Sequence, residues 1–132
     1  MKTYLIDLDG TMYRGNSNIA GAKEFIDNCL EKKVPFFFLT NNATRTLRQN
    51  VEHMEKLGFK GIEEKHFFTS SMAAARIMRK KGYDKAQMIG MDGLAEALQN
   101  SGFKISEEPQ CLFVGLDRQG NYEKYSQALQ YL

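Results

Sequence analysis

Tyr4-Leu5-Ile6-Asp7-Leu8-Asp9-Gly10-Thr11 is a short apolar, β-prone run closed by two acids and a glycine, the pattern of a buried strand entering a turn. Downstream, Ala22, Phe25, Ile26, Cys29 and Leu30 recur at helical spacing, and Glu31-Lys32-Lys33 before Val34-Pro35 ends that segment. The uninterrupted run Phe36-Phe37-Phe38-Leu39 is too short for a helix. It reads as a second buried strand that delivers Thr40-Asn41-Asn42 at its tip. Strand, helix and strand in succession predict a parallel pair joined by a right-handed crossover.

The alternation continues outward from there. A helix is predicted through Leu47, Val51, Met54 and Leu57, stopped by Gly58, and a short strand at Phe67-Phe68 leads to Thr69-Ser70-Ser71, where a further helix begins. Beyond it come a strand at 86–89, a helix bearing Leu94, Ala97 and Leu98, a strand at 111–114 and a last helix from about Tyr122. The expected class is α/β with a doubly wound parallel sheet. Gly58-Phe59-Lys60 and Gly102-Phe103-Lys104 echo one another, but a glycine that closes a helix before a polar loop is how such units generally end.

Composition narrows the function classes. The 132 residues suit one modest domain, or one domain with part of a second, and 42% hydrophobic against 26% charged residues is the balance of a chain that packs a core. With 18 Lys and Arg against 16 Asp and Glu the formal charge is +2, too small to steer nucleic acid or an anionic membrane, so neither is expected as a partner. Cys29 and Cys111 occupy apolar positions in unrelated segments without metal-ligand spacing, as buried thiols in a reducing cytoplasm would. Asp7 and Asp9 interrupt the N-terminal apolar run too early for a signal peptide, and no stretch reaches bilayer-spanning length.

The chemistry concentrates at the two strand tips. Asp7 and Asp9, two residues apart, are expected to start on one face of the strand and converge on a small volume. Two acids in a buried strand call for something that offsets desolvation and repulsion, and a divalent cation with oxygen ligands, magnesium, is the natural choice. Gly10 permits a sharp turn whose backbone amides could hold phosphoryl oxygens. Thr40 and Asn41 offer neutral donors at the tip of the adjacent strand, opposite the acids. An Asp-x-Asp-Gly-Thr run can also be a surface turn with two capping acids; the second polar strand tip weighs against that reading.

These residues resemble a known family. Asp7-Leu8-Asp9-Gly10-Thr11 is similar to the first motif of the haloacid dehalogenase superfamily, and Leu39-Thr40-Asn41-Asn42 to its second. The runs at 9–15, 40–46 and 68–71, with the late Val114-Gly115-Leu116-Asp117-Arg118 and Tyr122-Glu123-Lys124, resemble more narrowly the NagD-like, p-nitrophenylphosphatase type. The resemblance implies that residues 1–69 are the N-terminal part of the family's core and 70–132 the first part of an inserted α/β cap. It implies a magnesium-dependent hydrolase of small phosphorylated metabolites, in which Asp7 is the nucleophile that becomes phospho-aspartate and Asp9 the general acid and base. Mg2+ would be held by the Asp7 carboxylate and the Asp9 carbonyl, and the phosphoryl group by Thr40 and Asn41, with Asn42 and Arg45 nearby. The family's later lysine and second acidic motif do not occur before Leu132. The chain is therefore expected to be a fragment with little turnover of its own.

Other residues carry weaker signals. His53 and His66 lack partners spaced for zinc, and Met54, Met72, Met78 and Met88 fall at core-like positions. Arg79-Lys80-Lys81 suits the last turn of a helix. Gly90 and Gly93 read as a tight connection, since a lone Gly-x-x-Gly says little about nucleotides. Two rival readings stand beside the phosphatase: a noncatalytic module that binds phosphate and metal, and a structural fragment whose unpaired sheet edges drive homo-oligomer formation.

Overall fold

In the computed structural model, which describes residues 2–132, strands and helices alternate along the chain. The elements are β1 (Tyr4–Asp7), β2 (Tyr13–Arg14), β3 (Ser17–Asn18), α1 (Ala22–Glu31), β4 (Phe36–Thr40), α2 (Leu47–Lys56) and, after a 3-10 turn at Glu64–His66, β5 (Phe67–Thr69). They continue with α3 (Ser70–Lys80), β6 (Lys85–Ile89), α4 (Asp92–Asn100), β7 (Lys104–Ile105), β8 (Cys111–Val114) and α5 (Tyr122–Leu129). The chain divides into two units. One comprises the residues up to Thr40 with Leu47–Phe68, the other Asn41–Thr46 with Thr69–Leu132.

The first unit is built on a sheet of order β1-β4-β5. β1 and β4 are parallel, in register from Tyr4 opposite Phe36 to Asp7 opposite Leu39. Ile6, Leu8, Phe36 and Phe38 pack with Ile26 of α1, Met54 of α2, Phe59 and Phe67, and Phe38 meets Phe36 and Phe67 at ring-centroid distances of 5.4 Å. The expectation that both strands are buried throughout is corrected here: Leu5 is 67% exposed, Phe37 40% and Leu39 36%. Side chains alternate across a strand, and the residues of α1 and α2 in this core share it with the even-numbered positions only. Among the described residues, Leu5, Phe37 and Leu39 on the other face stay exposed.

A hairpin that the sequence analysis did not foresee, β2 with β3, follows β1 directly. Its signal is the two-residue Gly15-Asn16 connection, a known hairpin pair, obscured because each strand has only two residues. The Asn18 side-chain amide donates to the Leu57 carbonyl and ties the hairpin to the end of α2.

The second unit carries an all-parallel sheet of order β7-β6-β8. Its core comprises Ala75 of α3, Ala86, Leu94 and Leu98 of α4, Phe103 and Phe113. The last two rings meet edge to face at 5.3 Å. Arg79 lies with its guanidinium 5.7 Å from the centre of the Phe103 ring and donates to the Tyr83 carbonyl at 2.9 Å, so it fastens the end of α3 as well as facing solvent. Cys29 is buried and Cys111 half-buried; both are free thiols whose pKa burial raises. Among the described residues no helix is long and apolar enough to cross a membrane.

Candidate active site

Parallel pairing aligns the strand tips of the first unit. Because Asp7 stands opposite Leu39, the last residue of β1 and the last residue of β4, Thr40, finish at the same carboxyl edge of the sheet. That edge is where open α/β sheets bind ligands. Thr40 is buried and Asp7 is exposed. The Thr11 hydroxyl donates to Asp7 Oδ2 at 3.1 Å, which orients the carboxylate from the far side of the turn.

The turn itself departs from expectation in two respects. Asp9 lies beyond the strand, bridged to Tyr13, so the tight turn and not the strand pleat sets its position relative to Asp7. The Gly10 N–H donates to the Tyr13 carbonyl at 2.8 Å, and those of Thr11 and Met12 to the Leu8 carbonyl at 3.1 and 2.9 Å. These amides are spent within the turn and are not the phosphoryl donors that the sequence suggested. Gly10 contributes its conformation instead: at φ 86° it occupies the left-handed region that a side chain disfavours. Both Asp7 and Asp9 are solvent-exposed, so desolvation does not by itself demand a cation beside them.

Asn41, Asn42 and Arg45 belong to the segment Asn41–Thr46 of the second unit. Asn42 Oδ1 accepts from the Thr44 N–H at 2.9 Å and the Thr44 hydroxyl at 2.6 Å, an Asx-type turn. Its side-chain oxygen therefore shapes the loop. Asn41 is exposed, with its backbone carbonyl held by the Ser70 hydroxyl at 3.1 Å, and Arg45 is half-buried. Ser70, Thr44 and Gly93, whose N–H donates to the Thr44 carbonyl at 3.2 Å, are loop-holding residues that the sequence reading missed. The Asn-x-Thr spacing could have revealed Thr44; contacts from α3 and α4 could not be read without the fold.

Among the described residues no group of three or more His, Cys, Asp or Glu side chains could hold a metal ion. Magnesium needs fewer from the protein, since it commonly binds through one or two carboxylates and completes its shell with water and phosphate oxygens. The hard oxygens of Asp7 and Asp9 fit that demand. Two cavities elsewhere do not compete as active sites. In the second unit, a polar one contains Asp117, Lys124, Glu107 and Tyr131, which satisfy one another through Lys124–Asp117 at 2.9 Å and Tyr131–Glu107 at 3.1 Å. The hydrogen bonds from Lys124 and the Gln119 N–H hold the Asp117 carboxyl below the usual carboxylate range. In the first unit, an apolar groove along Cys29, Val34, Phe36 and Phe37 sits at the start of β4, the end remote from Thr40.

The chain is similar to proteins of known type. The family model for haloacid dehalogenase-like hydrolases matches residues 4–104. A 5'-nucleotidase of Bacillus subtilis, YutF, is 36% identical over 126 residues, covering 95% of this chain and 49% of the relative. An acid sugar phosphatase of Staphylococcus aureus is 38% identical over 125 residues, covering 93% and 48%. Among solved structures, NagD from Escherichia coli K-12 superposes with a TM-score of 0.89 at 28% identity, over 99% of this chain and 52% of that one. The chain thus spans about half the length of the curated relatives it matches.

Proposed function

The chain belongs to the haloacid dehalogenase-like hydrolases, and from that premise we propose that it carries the nucleophilic half of a magnesium-dependent phosphate-monoester hydrolase. The observation that carries this reading is the shared carboxyl edge of β1 and β4. It sets an exposed, hydroxyl-oriented carboxylate, Asp7, beside the neutral strand end Thr40. Relatives named as a 5'-nucleotidase and an acid sugar phosphatase support phosphate esters as the substrate class.

In the proposed reaction an Asp7 carboxylate oxygen attacks phosphorus, and the bond from phosphorus to the ester oxygen breaks. Asp9, entering as the carboxylic acid, gives its proton to the departing oxygen. The Asp9 carboxylate then takes a proton from water as that water attacks the acyl phosphate, which frees Asp7 and inorganic phosphate. Thr40 and Asn41 hold the phosphoryl oxygens, and Arg45 adds positive charge on the same loop. Magnesium bound at Asp7 and Asp9 would neutralise charge around the transferring group, the main demand of phosphoryl transfer. Because the chain spans about half the length of its relatives, little turnover is expected of it alone.

Acid-quenched labelling tests this. After incubation with p-nitrophenyl phosphate bearing radioactive phosphorus and with Mg2+, the chain should carry acid-stable, hydroxylamine-labile label at Asp7. Asp7→Asn should carry none, and Asp9→Asn should label about 10²- to 10⁴-fold more slowly, the usual worth of a general acid. Label that persists in Asp7→Asn would overturn the nucleophile assignment.

A further inference from the structure

The helix α4 begins without a side-chain cap: its N-cap residue is Met91, whose side chain makes no capping hydrogen bond. Helix starts leave N–H groups in need of acceptors, and here the Gly93 N–H finds one outside its own element, the Thr44 carbonyl at 3.2 Å. The approach is close enough to exclude a side chain. A Cβ at Gly93 would lie 2.5 Å from the Ala43 carbonyl oxygen and nearer still to that of Arg45. Those neighbours are backbone atoms, so no change of rotamer could relieve the overlap. Gly93 is buried, and its φ is not in the left-handed region, so close approach and not backbone conformation is the reason for glycine.

The same loop is gripped elsewhere within the second unit. The Ser70 hydroxyl at the start of α3 donates to the Asn41 carbonyl at 3.1 Å, and the loop braces itself through Asn42 and the buried Thr44. Both ends of the short segment between Thr40 and Leu47 are thus set by α3 and α4. That segment holds Asn41 and Arg45.

We infer that Gly93 is a positioning residue for phosphate recognition: its missing side chain and its N–H seat the 41–46 loop against α4, and thereby fix where Asn41 and Arg45 present their donors. The inference rests on the phosphatase reading above. It assigns part of substrate affinity to residues of the inserted segment that never touch substrate. Ser70 acts in the same way from α3.

The test uses the 132-residue chain with inorganic phosphate as the probe, measured by calorimetric titration in the presence of Mg2+ and by backbone amide NMR. Wild type should bind phosphate. Gly93→Ala should shift the amide resonances of residues 41–46 and weaken phosphate at least tenfold, while the Asp7 and Asp9 amides respond to Mg2+ alone as in wild type. A general loss of structure would not give that split. Gly115→Ala serves as the control in the same unit, because a Cβ there meets only ordinary contacts, 3.5 Å from Leu94 and 3.9 Å from the Ile89 carbonyl oxygen; it should leave phosphate affinity unchanged. If Gly93→Ala unfolds the second unit, Ser70→Ala carries the test, with weaker phosphate binding at unchanged circular dichroism. Wild-type affinity in a folded Gly93→Ala, or in Ser70→Ala should the first variant unfold, overturns the positioning role while leaving the phosphatase reading intact. A wild-type chain that binds no phosphate overturns the phosphate-site reading itself, and the positioning role with it.

Discussion

His66 shows how one residue can couple the first unit to pH. It is buried, its ring stacked on Phe36 at 4.6 Å and 8°, and its Nδ1 accepts the Glu63 N–H at 2.8 Å in a reciprocal cap of the 3-10 turn. Burial, and then the positive charge of Lys65, push its pKa below the ordinary value of 6.5, against a smaller upward pull from Glu63. The folded state therefore prefers the neutral ring, and the unfolded state takes up the proton first. Stability from this group is complete above pH 6.5, falls as the pH drops from there to the folded pKa, and is constant below it. Denaturation midpoints at neutral pH and at about pH 5.5 should show the loss in wild type and not in His66→Gln; an equal loss in both would assign it to other groups. The placement of Asp7 and Thr40 at neighbouring strand tips was legible in the sequence, because a motif at a strand end names its own position. The spent amides of Gly10, Thr11 and Met12 were not. Their acceptors depend on the Leu8 turn and on a hairpin whose two-residue strands leave no periodic trace.

The helices were readable as elements because apolar spacing repeats over several turns, as in α1 with Ala22, Ile26 and Cys29 buried. The strands were readable in place but not in burial: an unbroken Phe36-Phe37-Phe38-Leu39 cannot say which of its faces is covered. β4 resolves this into strict alternation, with Phe36, Phe38 and Thr40 buried and Phe37 and Leu39 exposed. Phe38, with no exposed surface, should on substitution by Ala destabilise the first unit by about 3–5 kcal/mol, through lost burial and the cavity left between Phe36 and Phe67. Phe37→Ser, one residue along, should cost less than about 1 kcal/mol. Urea unfolding of the two variants measures the contrast, and equal costs would mean that the second face is covered after all.

At the scale of the chain the same alternation has a consequence for solution behaviour. Leu5 and Phe37 are register partners, and Leu39 lies two residues beyond Phe37, so the three share one face of the β1–β4 pair. β1 ends the sheet order β1-β4-β5, so among the described residues its outer edge has no strand partner. Parallel sheets are ordinarily covered on both faces, and an unpaired edge beside an apolar face is a template for association. The 132-residue chain is therefore expected to associate with copies of itself, its sedimentation coefficient rising with concentration from the micromolar range upward. Replacing Leu5 and Phe37 together by Lys removes apolar area from an exposed face without touching Ile6, Phe36 or Phe38 in the core, so the double variant should remain folded and sediment as a monomer throughout. A wild-type chain that is monomeric at every concentration would show that this face is too small to bind a second copy. Unchanged association in the double variant would move the contact to another surface, and the exposed Leu129 and Leu132 near the end of α5 would be the next apolar positions to replace.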